Sequence, residues 1–175
     1  MPLTANEVNV ELPFVSAELL YRRVGPDEIN SKGEVKPLNI AGISFKAEVE
    51  SAPSVLRSEF SQPYDVLHEL CAEKDVTGWF AYYVRVDCLP EQVVSGDERV
   101  FRFFPKHVPL TTCGAHSVVA CCLADDADRG YVKPSAKVIN DFKVKFALGL
   151  RLIEQTFDIT TKEPISAESA LTRNS

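Results

Sequence analysis

The sequence predicts a mainly β protein, an antiparallel β-sandwich of about eight strands interrupted by one short helical insertion over residues ~53–74. Three observations predict it. Apolar and polar residues alternate along several short stretches. Turn residues separate those stretches. No regular strand–helix–strand alternation recurs, which argues against a parallel sheet.

The elements follow in chain order. VNVEL (8–12) and ELLYRRV (18–24) are short strand candidates. In ISFKAEVE (43–50), Ile43, Phe45, Ala47 and Val49 share one face while Ser44, Lys46, Glu48 and Glu50 share the other, as in a half-buried strand. Helical spacing then takes over. A turn of helix spans Pro53 to Phe60, and a second stretch carries Val66, Leu67, Leu70 and Cys71 on one stripe. Pro63 suits its first position, Asp65 its first turn and Lys74 its last. GWFAYYVRVDC (78–88) is apolar on both sides at its start, as a central strand is. RVFRFF (99–104) follows. His116 to Leu123 has no polar residue after Ser117, so it reads as a strand packed between layers or as a short buried helix. In FKVKFALGLRL (142–152), Phe142, Val144, Phe146, Leu148, Leu150 and Leu152 alternate with Lys143, Lys145 and Arg151, predicting a long strand. The phase flips near Ile153–Glu154, which predicts a bulge or a tight bend there, or a single strand that moves from one sheet to another. Residues 1–164 form one domain, and 165–175 read as a C-terminal surface tail.

Composition narrows the function classes. The chain has 175 residues, 45% hydrophobic, enough for one domain with a core that needs neither disulfide nor metal. No apolar run has the length of a membrane helix, and the opening MPLTANEVNVELPF lacks the pattern of a signal peptide. An odd cysteine count of five, with Cys121 and Cys122 adjacent, suits a reducing compartment, and a cytoplasmic location is expected. A net charge of −6 argues against a dedicated nucleic-acid binder. One basic stretch remains, Lys133, Lys137, Lys143, Lys145 and Arg151 against Asp141. It reads as a solvated strand face, with RNA contact as the alternative.

The order of elements resembles the jelly-roll coat proteins of small viruses: short strands, a long one, a helix, an aromatic-rich strand, then four more strands. That resemblance implies a jelly-roll sandwich, self-association into a homo-oligomer or closed shell, and location in a virion. A second likeness lies in LHELCAEKDVTGWFAYYV, RFFPKHVPL and CGAHSVVACCL, which resemble the phenazine-biosynthesis F-like isomerases. Those enzymes rely on an acid/base carboxylate in the segment that here reads DVTGWFA, where this chain carries Gly78-Trp79. No catalytic role carries over.

Candidate chemistry centres on PLTTCGAHSVVACCLADD (109–126). Cys113 is a possible nucleophile or acid/base group, with His116, His68 or His107 as its partner. On a strand, side chains 113 and 116 point to opposite faces, so only a turn unites them. His68, Cys71, Cys113 and His116 are the residue types of a structural zinc site, but their spacing lacks the usual Cys-x-x-Cys knuckles. Asp125, Asp126 and Asp128 lack the spacing of a calcium loop. Neither a phosphate-binding glycine loop nor a serine nucleophile elbow is present. The expectation is therefore a non-enzymatic assembly subunit with no cofactor, no metal and no small-molecule substrate. Trp79, Tyr82, Tyr83, Phe101 and Phe104 are its candidate interface anchors. The alternatives are a small cysteine–histidine enzyme of isomerase type and a monomeric protein-binding adaptor.

Overall fold

A computed structural model describes residues 3–40, 42–63, 65–66, 80–124, 130–153, 155–157 and 164–166. Seven antiparallel strands form one sheet curled into a half-barrel. They are β1 (Leu19–Val24), β2 (Ser54–Arg57), β3 (Phe80–Arg85), β4 (Gln92–Val94), β5 (Val100–His107), β6 (His116–Leu123) and β7 (Arg151–Leu152). Their spatial order is β4-β5-β6-β2-β1-β3-β7. A helix, α1 (Ala136–Gly149), packs against one face of the sheet. The short strands β8 (Gln155–Phe157) and β9 (Pro164–Ser166) form a separate antiparallel pair. Among the described residues no helix is long and apolar enough to cross a membrane.

Alternation along each strand sorts the side chains into two layers. On the inner face, Leu20, Val24, Phe80, Tyr82, Val84, Phe101, Phe103, Val119 and Cys121 meet the helix. The helix answers with Val138, Ile139, Phe142, Phe146 and Ala147, a stripe of helical period. Its centre is aromatic. The Phe142 ring stacks on Phe103 at 4.3 Å and on Phe146 at 5.4 Å, and Phe45 meets Phe103 and Phe142 edge-on at 5.6 and 5.5 Å. The outer face is smaller, with Tyr21, Leu56, Val66, Ala81, Cys113 and Ala115 in one cluster.

The fold keeps the predicted β class and differs in its arrangement. Among the described residues, one seven-stranded sheet with a helix stands in place of two stacked sheets. The predicted strand 142–152 is mostly the helix. Ser135 caps it by accepting the Val138 N–H at 3.3 Å, and Phe142 and Phe146 stand one turn apart, a spacing that alternation shares. The two patterns part at Val144 and Leu148, which a strand would bury and the helix leaves exposed. Across Ile153–Glu154 the chain passes from β7, in the seven-stranded sheet, to β8, in the separate pair, as the phase flip allows, while Glu154 itself lies outside the described residues.

Residues 43–50 bury Ile43 and Phe45 as alternation predicts, yet form no strand. Phe45 and Ser51 have φ of 46° and 58°, and the Ser44 and Phe45 N–H groups both donate to the Ser51 carbonyl. The chain doubles back there instead of extending. Residues 8–12 are irregular. Residues 54–57, expected in a helical turn, are the central strand β2, paired with β1 and β6. Residues 63, 65 and 66 are helical as read, while the remainder of that insertion, 67–74, lies outside the described residues. Strand β6 occupies the predicted span and is buried on both faces over its first six residues. Of the expected tail, residues 165 and 166 belong to β9, and the rest lies outside the described residues.

The aromatic stack makes one expectation quantitative. Phe142→Ala removes a ring that meets three others and should lower stability by about 3–5 kcal/mol. A urea titration followed by circular dichroism would read this as a lower midpoint with an unchanged slope.

Candidate functional site

The densest set of buried polar groups lies where β1, β2, β5 and β6 meet the opening segment. Arg57 ends β2 on the inner side, in register with Leu20. Its side chain is 0% exposed and that of Glu18, just ahead of β1, is 3% exposed. Arg57 Nε donates to Glu18 Oε2 and Nη2 to Glu18 Oε1, each at 2.8 Å. Nη1 donates to the Leu12 carbonyl at 2.8 Å and Nη2 to the Pro13 carbonyl at 3.2 Å. Nη1 also faces His107 Nδ1 at 3.4 Å, so each of the five guanidinium protons has an acceptor. The rings of Phe14 and Phe60 cover the cation, at 3.9 and 5.3 Å from ring centre to Cζ.

His107 links this cluster to the turn before β6. Its Nε2 donates to the Gly114 carbonyl at 2.6 Å, leaving Nδ1 as the acceptor toward Arg57. Its ring stacks on Phe60. Gly114 is required by close approach. A Cβ there would overlap the Thr4 carbonyl oxygen and lie 2.8 Å from Val8 Cγ1.

The structure separates the sequence-predicted groups. His107 registers with Ser117, so His107 and His116 point to opposite faces of the sheet. His116 donates from Nδ1 to the Val108 carbonyl at 2.7 Å, and its Nε2 faces Ser54 Oγ at 3.3 Å. Both ring nitrogens are thus engaged away from Cys113. Burial, with His107 nearby, holds the His116 imidazole below its ordinary titration range against the opposing pull of the Val108 carbonyl. Cys113 sits in a turn, bridged to Leu110, and is only 2% exposed among Tyr21, Leu56, Val66, Ala81 and Ala115. A substrate reaches that sulfur only if the turn or its cover moves. Burial pushes the Cys121 thiol up to about 12, so it stays protonated.

His68, Cys71, Trp79, Asp125, Asp126 and Asp128 lie outside the described residues. Among the described residues, no three His, Cys, Asp or Glu side chains come together as metal ligands do. Tyr82 and Phe101 are buried in the core, and Phe104 is half-buried. Tyr83 lines an outer-face cleft of about 450 Å³ together with Leu19, Tyr21, Pro63, Leu152 and Arg151. The basic residues form no common strand face. Lys137, Lys143 and Lys145 radiate from different sides of α1, Lys145 donates to the Gln92 carbonyl, and Arg151 donates to the carbonyls of Leu148 and Leu150 at the helix end.

Sequence reasoning missed Arg57 and Glu18. The available signal was an arginine closing the apolar run SVLR, which needs a carboxylate if the run is a buried strand. Compared with known proteins, the chain matches no family model, no curated protein and no solved structure.

Two outcomes are expected. Glu18→Ala strands the Arg57 cation and should cost about 3–5 kcal/mol, while the paired change Arg57→Met with Glu18→Leu should cost less than the single one. Chemical denaturation of the three variants measures both. His116 is held neutral in the folded chain, so the unfolded chain takes up the proton first as pH falls below about 6.5. Stability should therefore fall from pH ~6.5 downward toward the depressed folded value, and His116→Gln should flatten that slope in melts across pH 5–7.5.

Proposed function

We propose that the protein is a non-enzymatic, self-associating structural subunit, and that copies join along the β4 edge and the adjoining face of α1. One observation carries this reading. Among the described residues, an open sheet edge lies beside a helix that carries exposed apolar side chains. Among the described residues, β4 ends the sheet order and pairs on one side only, with β5. Val94 on that strand is 58% exposed. Lys145 reaches the Gln92 carbonyl of the same strand, and its helix neighbours Val144 and Leu148 lie on the solvent side of α1. These two are 42% and 69% exposed.

An unpaired edge is a template for another strand, and proteins normally blunt it. Lys145 guards one carbonyl, whereas Val94 on the outer face of the sheet and Val144 and Leu148 on the helix offer apolar area. A two-fold axis along the edge sets the same patch against itself, the commonest geometry of a homodimer. The coat-like form of this reading, a closed shell in a virion, extends such contacts around more than one axis. RNA contact plays no part in it, because the lysines of α1 diverge.

Light scattering after size exclusion tests the reading. The chain should run as a dimer or larger assembly at micromolar concentration. Val94→Asp with Leu148→Asp should raise the dissociation concentration at least about tenfold without loss of fold. A chain that remains monomeric at millimolar concentration sinks the proposal.

A further inference from the structure

Residues 3–14 lie on the sheet as a ligand lies on a receptor. They add no strand to it, so lifting them breaks no ladder hydrogen bond. Two keyed points hold them. At the first, the Gly114 N–H donates to the Leu3 carbonyl at 2.7 Å, and the bare Cα of Gly114 admits Thr4 and Val8. At the second, Arg57 donates to the consecutive carbonyls of Leu12 and Pro13 while Phe14 lies over its guanidinium. Between these points the segment keeps its own shape. Thr4 and Glu7 close a capped turn, and Leu12 N–H donates to the Asn9 carbonyl. Main-chain hydrogen bonds plus a seated side chain are how grooves recognise a peptide segment.

The connection, residues 15–17, is short and its side chains are exposed, Val15 57% so, while its Ser16 carbonyl accepts the Asp87 N–H at 3.0 Å. We propose that this groove is a receptor for residues 3–14 of a second copy, and that assembled chains exchange these straps. The proposal rests on the self-association reading above and names the segment that crosses. Exchange replaces every contact with an identical one, so its cost is low and a two-fold pair closes it.

Two full-length variants separate strap from groove. Phe14→Ala weakens the strap and leaves the groove intact; Gly114→Val blocks the groove and leaves the strap intact. The reporter is amide hydrogen exchange at Gly114 in an isotope-labelled Phe14→Ala chain. Alone, that amide should exchange about tenfold faster than in the parent chain. Adding unlabelled Gly114→Val chain should restore its protection and produce a one-to-one heterodimer by light scattering. A synthetic peptide of residues 1–15 should restore protection as well. Glu7→Ala, an exposed change that breaks the strap's own turn, guards against a fold defect in Phe14→Ala and should also speed the exchange.

Unchanged exchange in both strap variants overturns the proposal. So does protection by the peptide but not by the Gly114→Val chain, because the groove then takes its ligand from elsewhere than a second copy. Repeating the mixture in a Leu148→Asp background separates the two readings. Dissociation by Leu148→Asp with no strap exchange leaves the surface reading standing and this one refuted. Strap exchange in chains whose self-association ignores Leu148→Asp does the reverse.

Discussion

The buried Arg57–Glu18 pair is the constraint on which the rest of the molecule depends. A cation and an anion taken out of water gain nothing unless geometry and hydrogen bonding offset the loss of hydration. Here the carboxylate meets the guanidinium through two parallel bonds, two strap carbonyls and an imidazole accept the remaining protons, and two rings cover the charge. Those acceptors come from three places in the chain, and Arg57 itself from a fourth. Satisfying one side chain therefore fixes the entry to β1, the end of β2, the end of β5 and the path of residues 12–14 relative to one another. A shift of β2 by one residue would turn Arg57 to the outer face and leave Glu18 buried without a partner.

The curl of the sheet follows from what fills it. The helix that occupies the inner side presents Phe142 and Phe146 at its middle, and the strands bend around them with Phe45 and Phe103 completing the stack. A second sheet would present a flat layer about 10 Å away. A helix presents a narrow ridge, which a twisted, curved sheet can wrap. Gly149 allows the exit. A Cβ there would stand 3.0 Å from the Cys88 carbonyl oxygen and 3.2 Å from Val84 Cγ2, so the end of the helix meets β3 and the turn after it at backbone distance.

How much of this was legible depends on which physical signal each segment carries. β6 was legible because burial on both faces leaves an uninterrupted apolar run between turns. Residues 142–152 were misread because a spacing of four satisfies both periods, and the lysines between the apolar positions completed an alternation that the helix does not use. The cap at Ser135 was the better witness, since a side-chain acceptor for a free N–H has meaning only at a helix start. In residues 43–50, alternation located the buried side chains correctly, and the left-handed turn at Phe45 removed the strand. Nothing in a sequence announces a phenylalanine in that conformation. The polar cluster was illegible for another reason. Arg57 and Glu18 stand 39 residues apart and become partners only through the pairing of β1 with β2, which no local pattern encodes.

That same separation bears on what the molecule does. Chemistry needs an accessible group whose reactive atom is left incompletely satisfied, poised for a substrate to complete. In this fold, the imidazoles of His107 and His116 are bonded on both nitrogens, the Arg57 protons are all matched, and the Cys121 thiol is held in its protonated form. These groups hold the structure closed. Among the described residues, the outer side of β4 lacks a strand partner, and Val144 and Leu148 lack apolar contact. The self-association proposed above would supply a strand to that edge, and it is on this edge that the proposal stands or falls.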